Sequence, residues 1–318
     1  MDYTNNLPLR VVYGDYTLGV HGNGFDYIFS YAQGGLESLV KNGYEWLYRC
    51  PKPTFWRALT DNDRGSSFHL KSGSWLAADM FIRCKDIEVI MDGVSQGKPC
   101  APDNNRYRRD VYAHEMQIIF TYETLTTPKT EVIVSYTVKE TGKIQVNVHY
   151  LGAKGLPELP VFGLRFIMPT LAERYVYEGL SGETYPDRKM GASKGKFVIE
   201  DLSLTPYLVP QECGMHMDTS SVKVYRQKSL DNSRDDKFEQ ELTFEKTDNM
   251  FSFSCLPYTA SEIENATHHE ELPEARRTVL CIYGAVRGVG GIDSWGSDVE
   301  DAYRIDAEKD IIYSFIIS

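Results

Sequence analysis

Three stretches of this 318-residue sequence combine glycine with charged or aromatic residues at spacings that suit ligand binding. The first covers residues 55–65 and ends in Asp61-Asn62-Asp63-Arg64-Gly65. Its oxygen atoms could bind a divalent cation, or its Asp and Asn side chains could hold a tight loop by accepting hydrogen bonds from backbone amides. The alternating ligands and closing glutamate of a calcium loop are absent, so the pattern favours the structural loop.

The second stretch, residues 177–188, contains two glycines, a proline and several charges. Charged loops are common connectors, and they also carry function when a rigid scaffold positions them. The composition of this stretch fits a plain connection and an ordered functional loop equally well.

The third stretch, residues 288–296, contains four glycines together with Asp293, Ser294 and Trp295. Glycines let the backbone approach another group closely. A flat indole beside a carboxylate suits a sugar, because the ring can cover the apolar C–H face. The sequence alone leaves open whether Trp295 is such a platform or a core residue.

Other reactive groups form no recognisable pattern. His268 and His269 are adjacent, whereas metal ligands on a helix prefer a spacing of three or four residues, so an exposed pair without a metal is favoured. No Ser-His-Asp arrangement or reactive cysteine signature can be assembled. The six cysteines have no paired spacing, which favours free thiols in a reducing compartment.

The elements that must position these groups are mainly strands. Residues 143–150 alternate apolar and polar side chains, which predicts a strand with one buried face. Residues 131–138 are rich in β-branched residues, and Gly142 can take the positive φ of the hairpin turn between the two runs. Further predicted strands cover residues 9–13, 86–90, 116–122, 221–225, 238–244 and 311–315. Many short strands separated by turn residues indicate an all-β sandwich or barrel.

Helical signals are few. Residues 75–81, preceded by Ser72-Gly73-Ser74, could form two turns, and Ser261 with Glu264 fits a capping box for a helix reaching about His269. No linker divides the chain, so the sequence predicts a single domain over residues 1–318, with 1–20 as a lead-in strand region and 21–318 as the sandwich. Eight strand–helix pairs are absent, which excludes a parallel α/β barrel and puts any chemistry on sheets and loops.

Composition narrows the class of protein. The net charge of −11 argues against nucleic acid or an anionic membrane as the partner, since either would repel the surface. The first residues lack the basic and apolar regions of a signal peptide, and no window approaches the roughly 18 apolar residues of a membrane span. These features predict a cytoplasmic soluble domain.

Four motifs, in this order, resemble the C-terminal domain of the lac-type β-galactosidases of glycoside hydrolase family two. The matching segments are Arg-Ala-Leu-Thr-Asp-Asn-Asp-Arg-Gly at 57–65, Gly-Leu-Ser-Gly-Glu-Thr-Tyr-Pro-Asp-Arg at 179–188, Thr-Pro-Tyr-Leu-Val-Pro-Gln-Glu-Cys-Gly at 205–214 and Gly-Gly-Ile-Asp-Ser-Trp at 290–295. The usual member of that family is one long chain whose catalytic barrel precedes this domain. The resemblance therefore implies the small subunit of a heterodimeric form, and a large antiparallel β-sandwich of the galactose-mutarotase-like, supersandwich type with one or two short helices.

The resemblance also implies roles for particular residues. Trp295 would bind substrate as an aromatic platform at the edge of a galactoside pocket, with Asp293 and Ser294 setting its conformation. Ile292 stands where the single-chain form often has an acidic residue, which puts a direct role for that position in doubt. The mobile loop beside the pocket would comprise Asp61, Asn62, Asp63, Arg64 and Gly65.

The implied chemistry is hydrolysis of terminal β-D-galactosides such as lactose, with retention, by an acid/base glutamate and a nucleophilic glutamate. Both glutamates, and the family's magnesium and sodium sites, would lie on the large subunit, so no catalytic residue, metal or cofactor is assigned to this chain. Two alternatives are a stand-alone aldose-epimerase-like enzyme, which needs a histidine acid and a glutamate base facing one sugar, and a carbohydrate-binding sandwich. The second explains Trp295 but not the other three motifs.

Overall fold

The computed structural model describes residues 7–101, 111–233, 238–293 and 296–318, and strands make up most of its regular structure. The strands are β1 (Leu9–Tyr13), β2 (Thr17–Gly22), β3 (Phe25–Ser30), β4 (Gly35–Lys41), β5 (Tyr44–Glu45), β6 (Arg49–Thr54), β7 (Arg83–Met91), β8 (Val94–Gly97), β9 (Val111–Ala113), β10 (Glu115–Glu123), β11 (Glu131–Lys139), β12 (Ile144–Tyr150), β13 (Val161–Met168), β14 (Arg174–Leu180), β15 (Lys194–Ile199), β16 (Met215–Thr219), β17 (Ser221–Arg226), β18 (Gln240–Lys246), β19 (Phe251–Leu256), β20 (Thr278–Val286) and β21 (Ile311–Ile317). Three short α-helices are α1 (Asp61–Gly65), α2 (Phe68–Lys71) and α3 (Ala260–Asn265). Single 3-10 turns cover Gly73–Trp75, His269–Glu271 and Asp301–Tyr303.

These strands pair into three sheets, and every strand pairing in them is antiparallel. The largest has ten strands in the order β15-β14-β17-β18-β21-β12-β11-β10-β7-β8. A second has six, β5-β4-β3-β2-β1-β9, and the third has five, β16-β19-β20-β13-β6.

One face of the ten-stranded sheet carries the core. In β12 the residues Ile144, Val146, Val148 and Tyr150 are buried and the alternate positions are partly exposed, as the period-two pattern requires. The six-stranded sheet packs on this face at one end, where Phe29 lies 5.7–6.5 Å from aromatic rings of β10 and β11. The five-stranded sheet packs on it at the other end through aromatic residues of β13. The predicted all-β antiparallel sandwich is confirmed, with three short helices rather than one or two.

Predicted strands agree closely with the structure where apolar and polar side chains alternate regularly. The hairpin between β11 and β12 turns at Gly142, whose φ is +75°. One predicted strand, 238–244, is displaced: β18 runs from Gln240 to Lys246, where it pairs with β17 and β21.

Both predicted helices differ from the structure. Residues 72–81 form only a 3-10 turn at Gly73–Trp75, because Leu76 is extended and Ala77 has a φ of +59°. The later helix covers Ala260–Asn265, and its N-cap is Thr259 rather than Ser261. The hydroxyl of Thr259 accepts a hydrogen bond from the Glu262 amide while the Glu262 carboxylate accepts one from the Thr259 amide, so the capping box begins two residues earlier than predicted.

No helix in the described ranges combines the length and the apolar character needed to span a bilayer.

The topology brings two chain segments to one edge of the five-stranded sheet. Strands β6 and β20 are each antiparallel to β13, so they run in the same direction on either side of it. Their carboxyl ends therefore lie at the same edge. The first motif follows β6 and the fourth follows β20.

Candidate functional site

The four motifs are far apart in sequence and meet at this edge. Motif one contacts the glycine-rich stretch 288–296, which contains motif four, through a hydrogen bond of 3.1 Å from Arg57 Nη2 to the Gly288 carbonyl. Motif two contacts motif four through Asp187 and the Gly290 amide, and motif three contacts motif one through Tyr207 and Asp61. The edge where β6 and β20 end is therefore the candidate functional site.

Motif one ends in a short helix, where the sequence predicted a loop. Residues Asp61–Gly65 form α1, capped by Thr60, whose hydroxyl accepts a hydrogen bond of 3.1 Å from the Asp63 amide. The Asp63 carboxylate in turn accepts one of 3.0 Å from the Thr60 amide. This reciprocal capping box stabilises a helical turn in place of an irregular loop. The mobility assigned to this segment stays a prediction.

Asp63 also lies at the centre of a buried charge cluster. Its Oδ1 atom accepts hydrogen bonds of 3.1 Å from Arg57 Nη2 and from Arg287 Nη1. The three side chains are no more than 1% exposed. Because buried charges are costly unless paired, this cluster ties β6, α1 and the end of β20 together. The Asp63 carboxylate is thus a structural group, and its acceptor positions are used.

Arg287 extends the cluster to the rim of the site. Its guanidinium forms ion pairs with Glu158 and, at 2.6 Å, with Asp298, and lies 3.8 Å from the ring centre of Phe68. Sequence analysis missed this arginine because it precedes the glycine-rich stretch and belongs to no motif. Its partners are distant in the chain, so no local pattern could have identified it.

Asp187 and Asn62 hold the glycine-rich turn. The Asp187 carboxylate accepts hydrogen bonds of 3.0 Å from the Val289 amide and 2.8 Å from the Gly290 amide. Asn62 Nδ2 donates to the Val289 carbonyl at 3.0 Å, and Arg188 donates to the Gly290 carbonyl. A carboxylate bound to consecutive amides fixes the backbone direction of the turn.

Asp293 and Gly296 border Ser294 and Trp295, which lie outside the described residues. The Asp293 carboxylate accepts hydrogen bonds from the amide and the hydroxyl of Ser297. The roles predicted for Ser294 and Trp295 therefore stay predictions. Ile292 is exposed beside them.

The glycine at 296 is required by close packing. It has a φ of +84°, and a Cβ atom placed there would lie 2.8 Å from the carbonyl carbon and oxygen of Gly65. A Cβ atom on Gly65 would lie 3.1 Å from the Gly296 Cα atom. The end of α1 and the end of the fourth motif are thus in backbone contact, which only glycine permits.

We expect Gly296→Ala to destabilise the chain by about 1–3 kcal/mol more than Gly191→Ala, because the new methyl group overlaps backbone that cannot move aside. Gly191 is the matched control: its φ is +87° and no heavy atom lies within 4 Å of its Cβ position. Urea unfolding of both variants measures the difference. Equal losses of stability would contradict the close contact between residues 65 and 296.

Motif three covers one side of α1. Tyr207 Oη donates a hydrogen bond of 2.6 Å to the Asp61 carboxylate, and Gln211 accepts one of 3.2 Å from the Asp61 amide. Nearby, Tyr185 Oη donates to the Glu212 carboxylate at 3.4 Å. Burial raises the pKa of Glu212 to about 7, against the opposing charge of Arg57. Glu212 is therefore the carboxyl group of this site whose protonation changes near neutral pH.

Arg57 has spare hydrogen-bonding capacity. Its Nε and Nη1 atoms are buried and make no hydrogen bond to another described residue. A buried guanidinium with free donors could accept a further hydrogen-bonding partner at this site.

His216 is a structural residue in this region. Burial lowers its pKa to about 4, and its two ring nitrogens lie 2.9 Å from the Tyr175 hydroxyl and from the Gly182 carbonyl. The ring is therefore neutral at pH 7 and has no free nitrogen for proton transfer. His149 and His268 are paired with Asp310 and Glu271. Within the described residues no group of three or more His, Cys, Asp or Glu side chains is arranged to hold a metal ion.

Comparisons with known proteins give a consistent result. Residues 21–317 match the protein family described as "Beta galactosidase small chain". The sequence is 59% identical over 313 residues to the "Beta-galactosidase small subunit" of Latilactobacillus sakei, and the match covers 98% of both chains. It is 36% identical over 316 residues to the "Beta-galactosidase" of Halalkalibacterium halodurans, covering 98% of this chain but 28% of that enzyme. Among solved structures, the galactose 1-epimerase of Lactobacillus acidophilus aligns over 95% of this chain and 93% of its own, with a TM-score of 0.42 and 7% identity.

Proposed function

The chain belongs to the β-galactosidase small-chain family, and from that premise we propose that it completes the active site of a large subunit that carries the catalytic glutamates. The pair would hydrolyse terminal β-D-galactosides such as lactose with retention. The observation that carries the proposal is the convergence of the four motifs on one edge of the five-stranded sheet, in the stretch that precedes Trp295 in the sequence. The lac-type resemblance of those motifs, in the same order, supports this role.

The lengths of the relatives support a division of the enzyme between two polypeptides. This chain corresponds to 28% of the Halalkalibacterium halodurans enzyme and to 98% of the Latilactobacillus sakei small subunit. The catalytic barrel, with the acid/base and nucleophilic glutamates and the magnesium and sodium sites, would be in the second polypeptide. This chain would then contribute the binding and orientation of the substrate. Such a contribution can change the rate of hydrolysis greatly although the chain supplies no reactive group.

The carboxylates of the site agree with a supporting role. Asp63 and Asp187 accept hydrogen bonds that hold the backbone and the buried arginines, and Asp298 pairs with Arg287. Carboxylates saturated in this way position other groups and are poor proton donors or nucleophiles. Among the described residues, the buried His216 has both ring nitrogens bonded, so it does not support the epimerase alternative.

A cytoplasmic location is part of the proposal. All six cysteines are free thiols, and three of them, Cys213, Cys255 and Cys281, are buried. Free thiols are typical of proteins that work in a reducing compartment.

The Trp295→Ala variant tests the galactoside site directly. In the enzyme assembled with its large subunit, we expect a KM about 10- to 100-fold higher, because the variant loses an aromatic contact worth about 1–3 kcal/mol. Trp295→Phe, which keeps a flat ring, should retain most of the affinity. Light scattering should give both variants the mass of the wild-type complex. A KM unchanged by Trp295→Ala would contradict a platform role for the indole.

A further inference from the structure

The segment that follows α1 has a buried side and an apolar exposed side. Its inward side chains are Phe68, Trp75 and Ala78, all less than 9% exposed. Its outward side chains include four large apolar residues that are more than half exposed, namely Leu70, Leu76, Met80 and Phe81. Single exposed apolar residues are ordinary, but four in one twelve-residue stretch mark an interaction site.

The segment is held rigidly despite its irregular backbone. Trp75 stacks on Phe55 at 5.3 Å, and its Nε1 atom donates a hydrogen bond of 2.9 Å to the Pro157 carbonyl. Asp79 pairs with Arg165 of β13 at 2.6 Å, and Lys71 pairs with Asp298 at 2.9 Å. The outward apolar side chains are thus presented by a fixed backbone, and a preorganised surface loses little entropy on binding.

A cavity adjoins Met80. It has a volume of about 540 Å³, and its lining combines Tyr48, Met80 and Ile167 with the charged residues Glu37, Arg49, Lys52, Asp79 and Arg165. This volume is enough for an inserted side chain. The combination of tyrosine, arginine and methionine is the composition that protein interfaces favour.

Two unpaired cations flank Tyr48. The guanidinium carbon of Arg277 lies 4.0 Å from the centre of the Tyr48 ring, and that of Arg49 lies 5.5 Å from it. In the described part of the chain, neither arginine has a carboxylate within ion-pair distance. In a protein with a net charge of −11, this is a local positive site beside an apolar surface.

We propose that Tyr48, Arg49, Leu76, Met80, Phe81 and Arg277 form a docking surface for the large subunit. Its occupant is a segment of that subunit with apolar side chains that cover Leu76, Met80 and Phe81 and carboxylates that pair with the two arginines. The inference rests on the proposed function, because it names the surface through which the two chains associate. The match to a small subunit supplies the partner, and a symmetric pair of this chain is disfavoured because it would bring the same arginines together.

Single substitutions on this surface test the proposal. Phe81→Glu and Arg277→Glu should each weaken binding to the large subunit of the same organism at least 10-fold, measured by titration of the two purified chains. Val94→Glu and Lys196→Glu are matched controls on the edge strands β8 and β15, and should bind as the wild type does. Thermal melting of the isolated variants should match the wild type, because all four side chains are exposed or lie on the surface.

The outcomes separate this inference from the proposed function. A wild-type chain that does not bind the large subunit would contradict the proposed function itself. A wild-type chain that binds, with Phe81→Glu and Arg277→Glu binding equally well, would overturn the docking surface alone. An isolated wild-type chain that is dimeric, and that Phe81→Glu renders monomeric, would also overturn it by assigning the surface to a second copy.

Discussion

Asp63→Ala should lower the free energy of unfolding of the isolated chain by about 3–5 kcal/mol, because it leaves two buried arginines without their shared carboxylate. Arg57 and Arg287 each donate to Asp63 at 3.1 Å, and neither is more than 1% exposed. The substitution also removes the acceptor for the Thr60 amide at the start of α1. Urea unfolding followed by circular dichroism measures the loss as a lower midpoint at an unchanged slope.

Asp61→Ala is the matched control, two residues away on the same helix. The Asp61 carboxylate is exposed and contacts Arg64 at 3.2 Å and the Tyr207 hydroxyl at 2.6 Å. Exposed pairs of this kind contribute about 0–1 kcal/mol. Equal effects of the two substitutions would contradict a structural role for the buried cluster.

The sheets could be predicted because their alternation is local. The β11–β12 hairpin follows from β-branched and alternating residues on both sides of Gly142, and the strands lie where those patterns place them. The helices were predicted less well. Thr60 and Asp63 have the spacing of a capping box, so α1 had a sequence signal that the loop interpretation overlooked.

The helix predicted for residues 75–81 does not form, and the cause is a tertiary contact. The apolar run at 75–81 suits a helix, but Trp75 is drawn into the core against Phe55 and Tyr150. The backbone then turns outward through Ala77 in the left-handed conformation. A core contact of this kind overrides local propensity and leaves no trace in the pattern.

The sequence identified the separate motifs of the candidate site but did not predict that they lie together. Each motif was visible as a dense run of glycine and charge. The contacts that bring them together, such as Asn62 to the Val289 carbonyl over 227 residues of sequence, depend on β6 and β20 ending at one edge. The order of the strands in a large sheet depends on contacts between distant segments, so the pattern of any single segment could not predict it.

The proposed function requires that the catalytic carboxylates lie on another chain. A retaining glycosidase needs two carboxyl groups about 5–5.5 Å apart, one protonated and one ionised. In this chain Asp63 and Asp187 are saturated by donors, whereas Glu212, with a pKa of about 7, is the carboxyl group here that most resembles a general acid. Glu183, whose charge raises that pKa, would be its partner if the chain had chemistry of its own.

The most direct test is hydrolysis of a chromogenic β-galactoside by this chain alone, by the large subunit alone and by the two mixed at equal concentration. The account predicts activity in the mixture and none above background from this chain. A Glu212→Gln variant should still restore activity to the large subunit. Hydrolysis by this chain alone, abolished by Glu212→Gln, would contradict the account and make Glu212 the catalytic acid.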